Sequence, residues 1–235
     1  MGKRKVLITG GNKGIGLAVS RAMLELGHEI VIVARSFEDC PIVGVKDVTA
    51  IEYDLANLDG LNELACEVGD IDILINNAGY MQPKYTYDNY PKDARDHIMN
   101  VDLYAPVELM NIFSENMKKN SYGRIVNTAS IAGQIGHPDV WYGMAKAALI
   151  NATKIYGKML GAHGITVNCV APSPTETDMQ KDNSEERKNE FKKTVATGRF
   201  AEPEEVAKAI VWLATDCPEY INGVCIDINN CSFPR

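Results

Sequence analysis

The 235-residue sequence has no long apolar run, and this absence already narrows its possible roles. No stretch approaches the roughly 20 consecutive apolar residues that span a bilayer. The apolar run from Val6 to Ile8 is too short for the core of a signal peptide. The formal net charge of −7 gives no basic footprint for nucleic acid or anionic lipid. We therefore expect neither a membrane nor a nucleic acid as a partner.

Patterns of metal ligands and disulfides are also missing. The six cysteines are scattered without a C-x-x-C pair, and none of the four histidines lies at ligand spacing from another. Buried free thiols in a reducing compartment explain such cysteines better than disulfides or a metal site do. The sequence therefore predicts a cytoplasmic protein without a bound metal.

What the chain does contain is a regular alternation of apolar runs and helix-forming stretches. No repeat or linker divides it, so we expect a single α/β domain over residues 1–235, with one Rossmann-type doubly wound parallel sheet between two helix layers. The connection from Arg35 to Asp54 is too short for a full crossover helix and a strand, and we expect it to be irregular. The predicted strands are residues 5–9, 29–34, 48–53, 71–75, 124–128, 165–170 and 221–228. The predicted helices are residues 17–26, 58–68 and 101–119, one that carries Tyr142 and ends near Leu160, one that starts at Glu202, and a short one within residues 80–99.

The first strand runs into a glycine-rich turn, Gly10 to Gly16, and a helix follows at once. Glycines allow the backbone to approach a pyrophosphate closely, and the helix end supplies unpaired N–H donors. An ordinary tight turn is the plain alternative. The strand before and the helix after favour the nucleotide interpretation.

Basic residues occupy the two places that distinguish NADP from NAD. The second strand ends in Arg35-Ser36, where NAD-preferring folds usually carry an acidic side chain, and Lys13 lies inside the glycine turn. Arginine suits the 2′-phosphate of NADP, which accepts charge-assisted hydrogen bonds. Each could be a solvated surface cation, but together they favour NADP(H) over NAD(H).

Asn76, Asn77, Ala78 and Gly79 follow another buried strand. The asparagines can bond the backbone, and the small residues leave room for a flat ligand. A simple strand-end turn has the same composition.

Tyr142 and Lys146 are spaced four residues apart in a helix-forming stretch, so both side chains should point the same way. A neighbouring ammonium lowers the pKa of a tyrosine, which would let Tyr142 donate and accept a proton near neutral pH. Alone, such a pair arises by chance more often than by function.

Together these motifs resemble the classical short-chain dehydrogenase/reductase family over nearly the whole chain. The glycine turn, the Asn76–Gly79 segment, Asn100 in a helix, Ser130 at a strand end twelve residues before Tyr142, and Lys146 occur in that family's order. Several motifs in order are far more specific than any one of them.

The resemblance implies an oxidoreductase that passes a hydride between NADP(H) and a carbonyl or secondary alcohol substrate, with 3-oxoacyl thioesters as one substrate class. It implies that Tyr142 exchanges the proton, Lys146 lowers the tyrosine pKa and holds the nicotinamide ribose, and Ser130 polarises the carbonyl. Asn100 would hold a water that links Lys146 to solvent. A catalytically silent, nucleotide-sensing regulator is the alternative, but it would be expected to lose Tyr142 or Lys146.

The resemblance also implies a homo-oligomer, either a tetramer or a dimer, and a set of cofactor-binding residues. Within that set, Asp54 and Leu55 would contact adenine, and Thr177 would meet the carboxamide. The set comprises Gly10, Asn12, Lys13, Gly14, Ile15, Gly16, Arg35, Ser36, Asp54, Leu55, Asn77, Ala78, Gly79, Tyr142, Lys146, Pro172, Thr175 and Thr177.

The chain departs from the family pattern at two places. Ser173 replaces a glycine after Pro172, so the backbone there is expected to differ slightly, and Asn229-Asn230 replaces the usual glycine pair near the carboxyl end. The charged segment 175–198 resembles a mobile substrate flap, although a solvated helix face would look alike. The residues that could line a substrate pocket or simply pack are Tyr80, Tyr85, Tyr87, His137 and Trp141.

Overall fold

Seven parallel strands form one sheet in the computed structural model, which describes residues 2–82, 85–181 and 183–235. Their order is β3-β2-β1-β4-β5-β6-β7, so β2 and β3 lie on one side of β1, and the strands from β4 onward lie on its other side. Such a switch point opens a crevice at the carboxyl ends of the strands. The strands are β1 (Lys5–Thr9), β2 (Glu29–Ala34), β3 (Val48–Glu52), β4 (Ile73–Asn76), β5 (Gly123–Thr128), β6 (Ile165–Pro172) and β7 (Cys225–Ile228).

Helices cover both faces of this sheet. Val6 and Ile8 of β1 point into one apolar layer with the helices Gly14–Glu25 and Pro203–Ala214, and Leu7 points into the other with the helices Leu61–Val68 and Ala105–Lys119. This alternation confirms the predicted three-layer α/β fold. The helices are α1 (Gly14–Glu25), α2 (Leu61–Val68), α3 (Lys92–Met99), α4 (Ala105–Lys119), α5 (Val140–Leu160), α6 (Glu185–Lys192) and α7 (Pro203–Ala214).

Six predicted strands agree with the structure to within two residues at either end, whereas the seventh is shorter than predicted. It begins at Cys225 rather than at residue 221. The Asn222 side chain accepts a hydrogen bond from Val167 N and donates one to Gly157 O, and Gly223 has a positive φ. The Asn222 side chain takes the place of backbone pairing at Val167 N, although Gly223 N still donates to Val167 O and Val224 O accepts from Cys169 N, so regular pairing begins only at Cys225.

The helix predicted from residue 101 does not start there. A π-helical turn, Asn100–Tyr104, joins α3 to α4 without a gap. Pro106, in the first turn of α4, has no N–H to bond a carbonyl of the preceding turn, which favours the wider winding. The winding therefore changes at Asn100, in the middle of an otherwise continuous helical stretch. Residues 83 and 84, within the stretch 80–99 that was predicted to hold a short helix, lie outside the described ranges.

The connection between β2 and β3 consists of turns, as its length predicted. The charged segment 175–198 contains a 3₁₀ turn, Asp178–Gln180, followed by α6, although residue 182 lies outside the described ranges. Its far end is fastened to the chain terminus, because Asn230 accepts hydrogen bonds from Ala196 N and Thr197 N.

Ser173 does not have a positive φ, so serine fits the backbone where the family carries glycine.

None of the helices in the described ranges combines the length and hydrophobicity that a membrane-spanning segment requires.

Candidate active site

A cavity of about 900 Å³ lies along the carboxyl ends of the strands β1 to β6. It reaches from the glycine turn after β1 to the amino-terminal turns of α5. All of the predicted site residues line it except Gly16 and Asn100. The lining residues of the predicted set are Gly10, Asn12, Lys13, Gly14, Ile15, Arg35, Ser36, Asp54, Leu55, Asn77, Ala78, Gly79, Ser130, Tyr142, Lys146, Pro172, Thr175 and Thr177.

The glycine turn has the form that a pyrophosphate requires. Lys13 precedes α1 without a side-chain cap, and the first turn of that helix contains no acidic residue, so its N–H donors are available to an anion. Gly10 has a φ of +65°, and a Cβ there would lie 3.0 Å from Ala78 Cα. A dinucleotide therefore fits this end of the cavity.

Gly16 lies beneath the turn rather than in the cavity wall. A Cβ at this position would lie 2.0 Å from Gly10 O and 2.5 Å from Asn77 Nδ2. Gly16 therefore allows α1 to pack closely against the turn, a supporting role instead of a lining one.

The edge of the cavity beside β2 is basic and open to water. Arg35 is exposed, and its guanidinium carbon lies 5.9 Å from the centroid of the Tyr80 ring. Lys13 Nζ lies 3.4 Å from a carboxylate oxygen of Asp178, at the start of the charged segment. Asn12 ties the two loops together by donating a hydrogen bond to Ser36 O at 2.8 Å.

The asparagines after β4 bond the neighbouring strand ends. Asn76 Nδ2 donates to Asn127 Oδ1 at 2.9 Å, and Asn77 Nδ2 donates to Thr9 O and Gly10 O. Thr9 Oγ1 in turn accepts from the N–H groups of Asn77 and Ala78. These bonds hold Ala78 and Gly79 in the cavity wall, where small residues leave space.

Ser130, Tyr142 and Lys146 meet at the inner end of the cavity, and all three are buried. The carboxylate of Asp139 caps α5 by accepting from Tyr142 N at 3.1 Å, which fixes the first turn of that helix. Lys146 Nζ lies 5.6 Å from the centroid of the Tyr142 ring and donates to Thr128 O at 2.9 Å. The predicted trio is therefore brought together.

The electrostatics of Tyr142 differ from the sequence prediction. Burial raises the pKa of its phenol, and this outweighs the lowering by Lys146 and by a hydrogen bond with Ser130. The prediction that the pKa is lowered was therefore wrong in its net direction, although Lys146 acts as expected. Burial by itself lowers the pKa of Lys146, but Asp102 and Tyr142 together raise it, so its ammonium is retained.

The predicted role of Asn100, which is to hold a water that links Lys146 to solvent, stays a prediction. The Asn100 side chain donates to Ala56 O at 2.9 Å, and it does not line the cavity. Asp102, two residues later, lies instead beside the lysine, with Oδ1 3.0 Å from Lys146 Nζ. The sequence analysis missed this residue. Its one signal was a single acid between the apolar residues Val101 and Leu103.

Tyr80 and His137 line the cavity near Tyr142, and the ring centroids of His137 and Tyr142 are 5.6 Å apart. Burial lowers the pKa of His137. Tyr87, by contrast, is exposed.

The charged segment contributes one face of α6 to the cavity, whereas Glu185 and Glu186 at the start of that helix are exposed to solvent. The mobility of this segment as a substrate flap stays a prediction. Its residues from α6 onward that line the cavity are Arg187, Lys188, Glu190, Phe191 and Thr194.

Several known proteins are similar to this chain in sequence over nearly its whole length. Residues 10–230 match the sequence model of a family described as enoyl-(acyl carrier protein) reductase. The chain is 34% identical over 227 residues to a 3-oxoacyl-[acyl-carrier-protein] reductase of Rickettsia felis, covering 95% of this chain and 94% of the relative. It is 31% identical to an acetoacetyl-CoA reductase of Shinella zoogloeoides, with 98% of each chain covered.

Solved structures agree with this result. A short chain dehydrogenase/reductase family protein superposes with a TM-score of 0.89 at 28% identity, over 97% of both chains. YwfH, described as an NADPH dependent reductase involved in bacilysin biosynthesis, superposes with a TM-score of 0.87 at 25% identity over the full length of both. The fold, the order of the motifs and these relatives show that the chain belongs to the short-chain dehydrogenase/reductase family of oxidoreductases.

Proposed function

We propose that this oxidoreductase reduces the keto group of a 3-oxoacyl thioester with NADPH. The observation that carries the proposal is the buried group of Ser130, Tyr142 and Lys146 at the inner end of a cavity whose other end suits a pyrophosphate. Bound NADPH would supply the hydride. The relatives named as 3-oxoacyl-[acyl-carrier-protein] and acetoacetyl-CoA reductases share the 3-oxoacyl thioester as a substrate class.

The positions of the three side chains support the role that we assign to each. The Tyr142 hydroxyl donates a proton to the carbonyl oxygen as the hydride arrives, and in the reverse direction its phenolate accepts that proton. The Ser130 hydroxyl, held by a hydrogen bond from Ala132 N at 3.1 Å, polarises the same carbonyl. The Lys146 ammonium stabilises the phenolate and binds the nicotinamide ribose. The catalytically silent alternative is disfavoured, because Tyr142 and Lys146 are both present.

NADP is proposed as the preferred cofactor because Arg35 and Lys13 both border the cavity at its open edge. We assign the glycine turn to the pyrophosphate, and Asp54 and Leu55 to adenine. Pro172, Thr175 and Thr177 also line the cavity, and we assign them to the nicotinamide end.

The first test measures NADPH oxidation with acetoacetyl-CoA, simple ketones, sugars, quinones and crotonyl-CoA. We expect the highest kcat/KM with acetoacetyl-CoA. Turnover of crotonyl-CoA alone would instead indicate reduction of a carbon–carbon double bond, the activity named by the matching family description. Binding of NADPH without turnover of any of these would contradict the proposal.

We further propose a homo-oligomer in the cytoplasm. The edge strand β7 is partly exposed, which supports pairing with a second copy, and all six cysteines are free, which suits a reducing compartment. Light scattering on the purified protein tests the assembly. A monomer at micromolar concentration would contradict it.

A further inference from the structure

The buried ion pair between Asp102 and Lys146 is the feature that the roles assigned above do not use. Asp102 lies on the π turn and has no exposed surface, and Lys146 on α5 is 3% exposed. Their charged atoms are 3.0 Å apart. Removal of a charge from water is costly unless a partner is held in place, so this pair constrains both side chains.

Three segments of the chain meet at the Asp102 carboxylate. Its second oxygen accepts from Tyr80 N at 3.0 Å, which joins the loop after β4 to the π turn. A Cβ on Gly79 would lie 3.1 Å from Asp102 Oδ1 and 3.5 Å from Lys146 Nζ. The pair therefore lies directly against the cavity wall at Gly79, where a side chain would crowd the carboxylate.

We propose that Asp102 is a positioning residue of the reaction, whose carboxylate fixes the Lys146 ammonium between Thr128 O and Tyr142 and supplies the counter-charge of the site. This role rests on the proposed hydride-transfer function. Lys146 has three donors, of which one goes to Thr128 O, and its ammonium forms an ion pair with Asp102 Oδ1 at 3.0 Å, so donor capacity remains for the ribose. Without Asp102 the ammonium would be free to turn away from that position.

The carboxylate also influences when Tyr142 and Lys146 lose their protons. A negative charge disfavours the phenolate and favours the ammonium, so Asp102 raises the pKa of both groups. Its removal should shift both pKa values to lower pH. The other ionisable groups that face this site remain in place: Asp139 and His137 beside Tyr142, and Tyr80 with His97 packed on its ring.

The first half of the test uses the stability of the protein without cofactor. Asp102→Asn and Lys146→Met each leave a buried charge without its partner, so each should lower Tm by on the order of 10 °C. The double variant should be more stable than Lys146→Met alone, because it buries no charge. A double variant that melts at or below the Lys146→Met variant, or that fails to fold, would overturn the proposal whether or not the enzyme is active.

The second half measures the pH dependence of kcat/KM for alcohol oxidation. In Asp102→Asn, or in Asp102→Ser if the asparagine variant does not fold, the profile should shift to lower pH by about one unit or more. Asp72→Asn is the matched control, since Asp72 also accepts from a backbone N–H and pairs with an arginine, at the opposite end of the sheet. That variant should keep the wild-type profile.

A folded Asp102 variant with the wild-type profile would also overturn the role. The double variant could be more stable than Lys146→Met, as expected, while the wild-type protein turns over none of the substrates. That combination would support the ion pair and count against the proposed function.

Discussion

At the inner end of the cavity Ser130, Tyr142 and Lys146 are 9%, 7% and 3% exposed, whereas at its open edge the side chains of Lys13 and Asp178 are 64% and 48% exposed. The buried groups interact in a medium of low effective dielectric constant, and packing fixes their geometry. Charges at the open edge are screened by water and salt. Removal of a single atom at the inner end should therefore lower the rate of the reaction strongly. A change of charge at the open edge should alter the preference between NADPH and NADH by a smaller factor.

The largest effect is expected at Tyr142. Tyr142→Phe removes one oxygen from a buried ring and leaves the packing, so NADPH binding should persist while kcat/KM falls by about 10²–10⁴-fold, the usual share of general acid–base catalysis. Steady-state kinetics and fluorescence titration with NADPH measure the two quantities. Retention of activity would show that the inner end does not depend on this oxygen.

Gly16 lies beneath the glycine turn, and its substitution tests how rigid that turn is. A Cβ at Gly16 would meet Gly10 O at 2.0 Å, so Gly16→Ala must displace backbone and should cost about 1–3 kcal/mol in the free energy of unfolding. NADPH affinity should fall at least about tenfold, because the turn that binds the pyrophosphate moves. Gly2→Ala, which meets no atom within 4 Å, is the control and should change neither quantity. Denaturant unfolding measures the free energy of unfolding, and isothermal titration measures the NADPH affinity. Unchanged NADPH affinity in Gly16→Ala would refute the supporting role of Gly16 beneath the glycine turn.

The open edge should govern the choice between NADPH and NADH. Arg35→Asp replaces a charge-assisted contact worth about 1.5–3 kcal/mol with repulsion, so the ratio of kcat/KM for NADPH to that for NADH should fall by about 10–150-fold. Arg21→Asp makes the same charge change on the exposed surface of α1, outside the cavity, and should leave the ratio alone. An equal ratio in wild type and Arg35→Asp would rule out the 2′-phosphate contact.

The same contrast explains how much the sequence could predict. The sheet and its helices follow from apolar runs and their periodicity, and the cofactor turn from glycines placed between a strand and a helix. The Asp102–Lys146 pair could not be predicted, because a π turn before Pro106 shifts the register of the helix and so decides which side chain faces α5. The net pKa shift of Tyr142 was missed because spacing reveals the neighbouring lysine but not the depth of burial.

The smallest effect is expected for the ion pair at the edge. Asp178→Asn frees Lys13 for the cofactor phosphate, and an exposed pair of this kind contributes about 0.2–1 kcal/mol, so KM for NADPH should fall by at most about fivefold. The gain should shrink as salt is added, since screening acts on exposed charges. Lys181→Gln, which removes the other partner of Asp178 but keeps the Lys13 contact, is the control. Asp178→Asn could instead alter kcat as strongly as Tyr142→Phe does, at every salt concentration. That result would show that the open edge is not governed by screened charge alone, and that the start of the charged segment takes part in catalysis.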